Sequence, residues 1–154
     1  DAVRGVTKLL ASDAVIRQAT ITSVLEPTLP PVRADRVQIQ QVLMNLILNA
    51  FEAMEHDLPS TASDRRVTVT TRAGDAAHVL LTVSDTGHGL GAAPDRWFEP
   101  FHSGKEGGLG VGLSIARMIV EAHGGSLRAE NNDAGGATFS VRLPIAPVPR
   151  GAPE

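Results

Sequence analysis

The stretch "GGLGVGLSIARMIVEAHGG", Gly107–Gly125, decides how the rest of the chain is read. It opens on alternating glycines and continues as a run with helical periodicity. Backbone this bare at the mouth of a helix suits a dinucleotide fingerprint, a P-loop or a phosphate-binding hinge of another kind. A dinucleotide fingerprint needs a strand that delivers G-x-G-x-x-G into the helix. Here "HSGKEGG" precedes the glycines, which is no strand, and the third small residue is missing. The P-loop pattern G-x-x-x-x-G-K-[ST] occurs nowhere in the chain. What remains is a loop meeting a helix N-terminus at Gly110-Val111-Gly112, where free amides favour an anion and absent side chains let it approach. A glycine-rich connector with no ligand is the alternative at this point.

The chain has 154 residues, 42% hydrophobic and 20% charged, the size and balance of one compact domain with a core. Its net charge of −3 and sequence pI near 5.9 give no basic surface for nucleic acid or an anionic membrane. The absence of cysteine excludes disulfides, thiolate metal sites and cysteine nucleophiles. No apolar run approaches the length that spans a bilayer, and the expected setting is the cytoplasm. The chain begins at Asp1 rather than Met, so we read it as a piece of something longer.

Moving outward from the glycines, "SLRAENN" and "ATFSVRLP" read as two strands, with Phe139, Val141 and Leu143 pointing one way and Thr138, Ser140 and Arg142 the other. Upstream, "RVTVTTRA" and "HVLLTVSD" alternate as neighbouring strands joined by a turn around Gly74 and Asp75. From Thr86 to Gly108 a long polar loop is interrupted by "RWFEPF". The clearest helix runs from Arg36 to about Glu55, capped by Asp35, with Ile39, Leu43, Leu46, Ile47, Ala50 and Met54 on its apolar side. Before it, "VRGVTKLLA" (Val3 to Ala11) has helical spacing and "RQATITSVLE" reads as a strand. The expected assembly is a two-layer α/β sandwich over residues 1–144, a mixed sheet with helices packed on one face, and residues 145–154 form a disordered tail.

The long helix carries a polar stripe, Gln38, Gln41, Asn45, Asn49 and Glu52, flanked by Met44, Leu48 and Phe51. Such a stripe is ordinarily the wet side of a helix. Two asparagines in mid-helix are poor helix formers, however, and an amide oxygen can ligate Mg²⁺. In "VSDTGHGL", Asp85 ends a strand before a turn containing Gly87 and Gly89. It either caps that turn or accepts hydrogen bonds from an adenine amino group, for which guanine presents an acceptor instead.

Taken together, these segments resemble the catalytic, ATP-binding domain of sensor histidine kinases, of the superfamily shared with gyrase, Hsp90 and MutL. "QVLMNLILNAFEAM" is similar to the N box, "DTGHGL" to the G1 box, "WFEPF" to the F box and "GLGVGLSI" to the G2 box. "GGATFSVRLP" is similar to the last glycine-threonine motif and closing strand. The wording is nearest to the oxygen- and nitrogen-sensing kinases of the FixL and NtrB type, and the likeness runs from Pro31 to Pro144. The resemblance implies the Bergerat fold, ATP and Mg²⁺ as ligands, and transfer of a phosphoryl group to a histidine on a separate dimerisation domain, with a response regulator downstream.

Residue by residue, it implies that Asn49 holds Mg²⁺ and Asp85 contacts the adenine amino group, with Gly87 and Gly89 shaping the base pocket. Lys105 approaches the terminal phosphates. Gly108, Leu109, Gly110, Val111, Gly112 and Leu113 form the segment that cradles them, and Thr138 lies near the adenine through water. Asn45 stands where hydrolytic relatives carry a glutamate base, and an amide takes no proton from water near neutral pH. Transfer to a protein acceptor is therefore expected over hydrolysis. A superfamily ATPase or protein-serine kinase, and a nucleotide sensor without chemistry, are the rival readings.

The chain departs from the family's pattern at His88, usually proline or a small residue, and at "HSGK", which replaces the common "TTK". Of its five histidines only His56 faintly mimics an acceptor, so the chain alone is not expected to phosphorylate itself. His123 reads as a partner for the helix C-terminus and His78 as solvated. Trp97, Phe98 and Phe101 are either core or a hydrophobic anchor for the loop or the acceptor domain.

Overall fold

The computed structural model describes residues 1–55, 64–102 and 110–147. Its spine is the helix foreseen from Arg36. Helix α3, Arg36–Glu55, contains no glycine or proline, and Asp35 caps it by accepting from the Gln38 amide at 2.9 Å. Val42, Leu43, Leu46, Ile47 and Ala50 are fully buried along it.

Two short helices precede it, α1 (Ala2–Leu9) and α2 (Ala11–Ile16), followed by strand β1 (Thr20–Leu25). The sequence led us to expect one helix and a strand beginning at Arg17. The break at Leu10 instead keeps Val3, Val6, Leu10 and Ala14 all against the core. Val15 and Ile16 stay exposed, which erases the periodicity that would have announced α2.

Strands β2 (Arg66–Asp75) and β3 (His78–Asp85) form a hairpin whose turn falls at Ala76-Ala77, later than the expected Gly74-Asp75. Asp75 closes that turn through its own carboxylate, which accepts from the Ala77 amide at 2.8 Å. A 3₁₀ turn, Pro94–Phe98, interrupts the long loop. Helix α4 (Gly112–Ala122) and strands β4 (Ser126–Asn131) and β5 (Ala137–Pro144) complete the fold.

The five strands lie in the order β1-β2-β3-β5-β4. Only β1 and β2 pair in parallel, joined by the α3 crossover, and the sheet is therefore mixed. One face is apolar: Val67, Val69, Val83, Phe139 and Val141 are buried there together with α3 and α4. The other face is lined with hydroxyls, among them the cross-strand pair Thr70 and Thr82 at 2.6 Å. Helices on one face and a hydroxyl-rich outer surface give the two-layer sandwich expected from the strand alternation.

Two side chains fix the ends of the sandwich. His123 donates from Nδ1 to the Ile119 carbonyl at 2.7 Å and accepts on Nε2 from the Asp35 amide at 3.0 Å, tying the end of α4 to the start of α3. His78 is not simply solvated, because it meets Asp75 at 2.8 Å and Arg142 at 3.2 Å. Past β5, Ile145 pairs with Val32 and the Ala146 amide bonds to the Pro31 carbonyl, so the first residues assigned to a tail are held to the body.

Candidate functional site

Helix α3 collects the separate motifs along one side. Near its middle, Asn45 donates from Nδ2 to the Gly112 carbonyl at 3.0 Å, and its Cγ lies 3.9 Å from where a Gly112 Cβ would be. The glycine motif and the amide stripe are thus in contact. One turn on, Asn49 is half-buried and its carboxamide has no hydrogen-bond partner among the described residues. A further turn on, Ala53 meets the G1 turn: its carbonyl accepts from the His88 amide at 3.2 Å. A Cβ on Gly87 would stand 2.6 Å from the same oxygen, so only glycine lets the turn lie this close. From Asn45 to Ala53 the helix rises about 12 Å. Along that length it links the glycine motif before α4 to the turn that holds Gly87.

The glycine motif itself is braced from the loop side. Gly110 has a φ of 64° and its carbonyl accepts from the Phe101 amide at 3.1 Å. Val111 precedes α4, Gly112 is its first residue, and Leu113 is buried beneath it. The first amides of α4 have no partner within the helix and are available to an anion. Lys105, Gly108 and Leu109 lie outside the described residues, as does His56.

Asp85 is the one buried charged residue among the described positions, 2% exposed at the end of β3. Its Oδ1 accepts from the Gly87 amide at 2.9 Å and the Ala137 amide at 3.2 Å. Its Oδ2 is buried without a partner among the described residues. Burial pushes the carboxyl above its ordinary pKa, opposed by the two amides and by nearby His88. A turn cap needs only Oδ1. The unused, inward oxygen is what a ligand's donor would complete.

Gly89 lies against Asn131 Oδ1, closing this side of the turn. Thr138 is not where the resemblance led us to expect it. Its hydroxyl pairs with Ser84 Oγ at 2.9 Å on the outer face, opposite to the face that carries Asp85. The period-2 alternation of β5 enforces this, since Phe139 must point into the core. The β5 residue bonded to the Asp85 carboxylate is Ala137.

Beyond the Gly87–Gly89 turn the aromatic residues separate. Phe98 is core, edge-on to Phe139 at 6.1 Å, whereas Phe101 is 77% exposed. Trp97 donates to the Leu90 carbonyl at 2.9 Å and stands between His88 and His102, at centroid distances of 5.8 and 5.1 Å. Sequence reasoning missed Ala53, Asn131, Asn132 and Ala137. The adjacent asparagines before the turn "DAGG" were the one available signal.

A mixed sheet backed by helices, with an amide-bearing helix facing a glycine-opened one, is an arrangement suited to a nucleotide. The chain belongs to the family described as "Histidine kinase-, DNA gyrase B-, and HSP90-like ATPase", which matches residues 34–147. Among its relatives are sensor protein FixL of Bradyrhizobium diazoefficiens, 49% identical over 79% of this chain, and the C4-dicarboxylate transport sensor protein DctS of Rhodobacter capsulatus, 44% identical over 81%. The chain spans 23% of the length of that FixL and 19% of that DctS. Its fold is that of histidine kinase catalytic domains: a nucleotide-free structure of the ThkA catalytic domain superposes with a TM-score of 0.79 at 28% identity, covering 95% of this chain and 93% of that one. Full-length ShkA in complex with AMPPNP gives the same TM-score and identity, covering 96% of this chain and 30% of that one.

Proposed function

We propose that the chain is the catalytic and ATP-binding domain of a two-component sensor histidine kinase working in the cytoplasm. It binds ATP with Mg²⁺ and presents the γ-phosphoryl group to a histidine on a separate dimerisation domain, from which a response regulator receives it. The observation that carries this reading is the junction of Asn45 with Gly112 on one side of α3 and of Ala53 with Gly87 on the same helix. It gives one helix a phosphate end and a base end.

In this reading Asp85 Oδ2 accepts from the adenine 6-amino group, with Gly87 and Gly89 letting the base lie against the backbone. The amides of Gly112 and Leu113 at the start of α4 receive phosphate oxygens, and Lys105 adds charge from the loop. Asn49 supplies a neutral oxygen for the cation, whose bound form spreads the charge of the phosphates. The fit rests on Asn49, whose half-buried carboxamide has no hydrogen-bond partner among the described residues and so has an oxygen to give to a hard cation that shares its shell with a triphosphate. Asn45 cannot deprotonate water, so the site positions ATP for an incoming imidazole nitrogen rather than for hydrolysis.

The test is to mix the chain with ATP, Mg²⁺ and a separately produced acceptor domain. Acid-labile, base-stable phosphate on that domain, absent with the chain omitted, is expected. Hydrolysis of ATP with no phosphohistidine would overturn the assignment.

A further inference from the structure

Asn132, the last residue of "SLRAENN", lies in none of the family boxes, yet it is bonded to the Asp85 main chain. Strand β4 ends at Asn131 and β5 begins at Ala137, and Asn132 opens the turn between them. Its Oδ1 accepts from the amides of Ala134 at 3.1 Å and Gly136 at 3.0 Å. Its Nδ2 is surrounded by acceptors: the Asp85 carbonyl at 2.9 Å, Ser84 Oγ at 3.0 Å, the Ala137 carbonyl at 3.1 Å and Thr138 Oγ1 at 3.5 Å. A carboxamide accepts at one end and donates two hydrogens at the other, so it can serve the turn and the strands together.

The same turn walls in the carboxylate. A Cβ on Gly136 would collide with the Asp85 carbonyl and come within 2.6 Å of Oδ1. The Ala137 amide bonds to that Oδ1. Asp85 is therefore gripped by its main chain through Asn132 and by one carboxylate oxygen through the turn. Of the Asp85 carboxylate, Oδ2 is left buried and without a partner among the described residues.

We propose that Asn132 is a positioning residue for purine recognition: by tying the end of β3 to the turn before β5, it aims Asp85 Oδ2 at the 6-amino group of adenine. The inference rests on the reading of Asp85 given above. A directional bond from a buried carboxylate is lost when its aim shifts, whereas contacts to the triphosphate depend on α3 and α4 and survive.

The experiment compares binding of ATP and of purine riboside triphosphate, which lacks the 6-amino group, to the chain and to Asp85→Asn, Asn132→Asp and Asn132→Ala. Asn132→Asp keeps an oxygen for the Ala134 and Gly136 amides and replaces the donating NH2 with an oxygen that the strand carbonyls repel. Its added charge acts on both triphosphates alike. The unaltered chain is expected to favour ATP by roughly ten-fold, the scale of one buried hydrogen bond to a charged group. Both Asn132 variants should cut that preference to within about three-fold by weakening ATP alone. A preserved preference, or equal loss for the two nucleotides, would overturn the role of Asn132 while leaving Asp85 intact. No preference in the unaltered chain, or one that survives Asp85→Asn, would overturn the reading of Asp85 and this inference with it.

Discussion

The side chain of Asn45 and the main chain of Gly112 are hydrogen bonded at 3.0 Å across 67 positions of sequence. This bond sets the start of α4 against the middle of α3, so the free amides of one helix face the amide stripe of the other. The packing of α4 on α3 thereby depends on one polar contact, and in the proposed function so would phosphate affinity.

Asn45→Ala leaves the Gly112 carbonyl without that donor. We expect a loss of about 0.5–1.5 kcal/mol in unfolding free energy, the worth of one hydrogen bond. ATP affinity should fall several-fold. Chemical denaturation and calorimetric titration of the same preparation check both numbers.

Asp85 is destabilising when charged. Burial holds its folded-state pKa above the unfolded value of 3.8, so across the interval between them the folded chain binds more protons, and stability falls as pH rises through it. Asp85→Asn should therefore raise Tm at neutral pH, with the gain fading below the unfolded pKa. For a chain of this size each 1 kcal/mol moves Tm by about 2–4 °C. The same substitution should weaken ATP by at least a few-fold, since hydrogen bonds to charged groups are worth about 1.5–3 kcal/mol. Tm measured against pH, beside an ATP titration, tests the pair of effects.

Asp75 has the opposite sign. A hydrogen bond from His78, with the Ala77 amide and Arg142, holds its carboxyl below the ordinary range. Its contribution to stability is present above the unfolded pKa and disappears as pH falls toward the depressed one. Asp75→Asn should lower stability at neutral pH and flatten that acid-side loss, by an amount that shrinks with added salt because the cluster is exposed. Thermal melts at two ionic strengths would show it.

Gly87→Ala places a methyl group against the Ala53 carbonyl, at a separation no relaxed structure tolerates. The turn must back away from α3, at a cost of about 1–3 kcal/mol. Base recognition should suffer with it. An unchanged ATP affinity in a variant of lowered Tm would show that the turn's distance from α3 does not matter to the base.

The parts of the molecule that follow local rules were readable beforehand. Helix α3 has no breaker and a regular apolar period, and β3 and β5 alternate without a fault. The parallel pairing of β1 with β2 was not readable, because nothing local records which strands become neighbours. Helix α2 escaped because its largest apolar residues face outward. Thr138 is the instructive case. The alternation of β5 already placed it on the outer face, and a likeness of motif placed it at the base; the alternation prevailed because Phe139 has nowhere else to go. The adjacent asparagines hinted at a turn, but the role of Asn132 was not readable because its partners, Ser84 and Asp85, lie more than forty positions away.

The chain contains a single tryptophan, and Trp97 is anchored to Leu90 and flanked by His88 and His102. All indole emission from the molecule thus originates beside the turn that would receive the base. The protein carries its own optical probe, needing no dye, and a titration followed at that wavelength would report events at this rim rather than an average over the whole body.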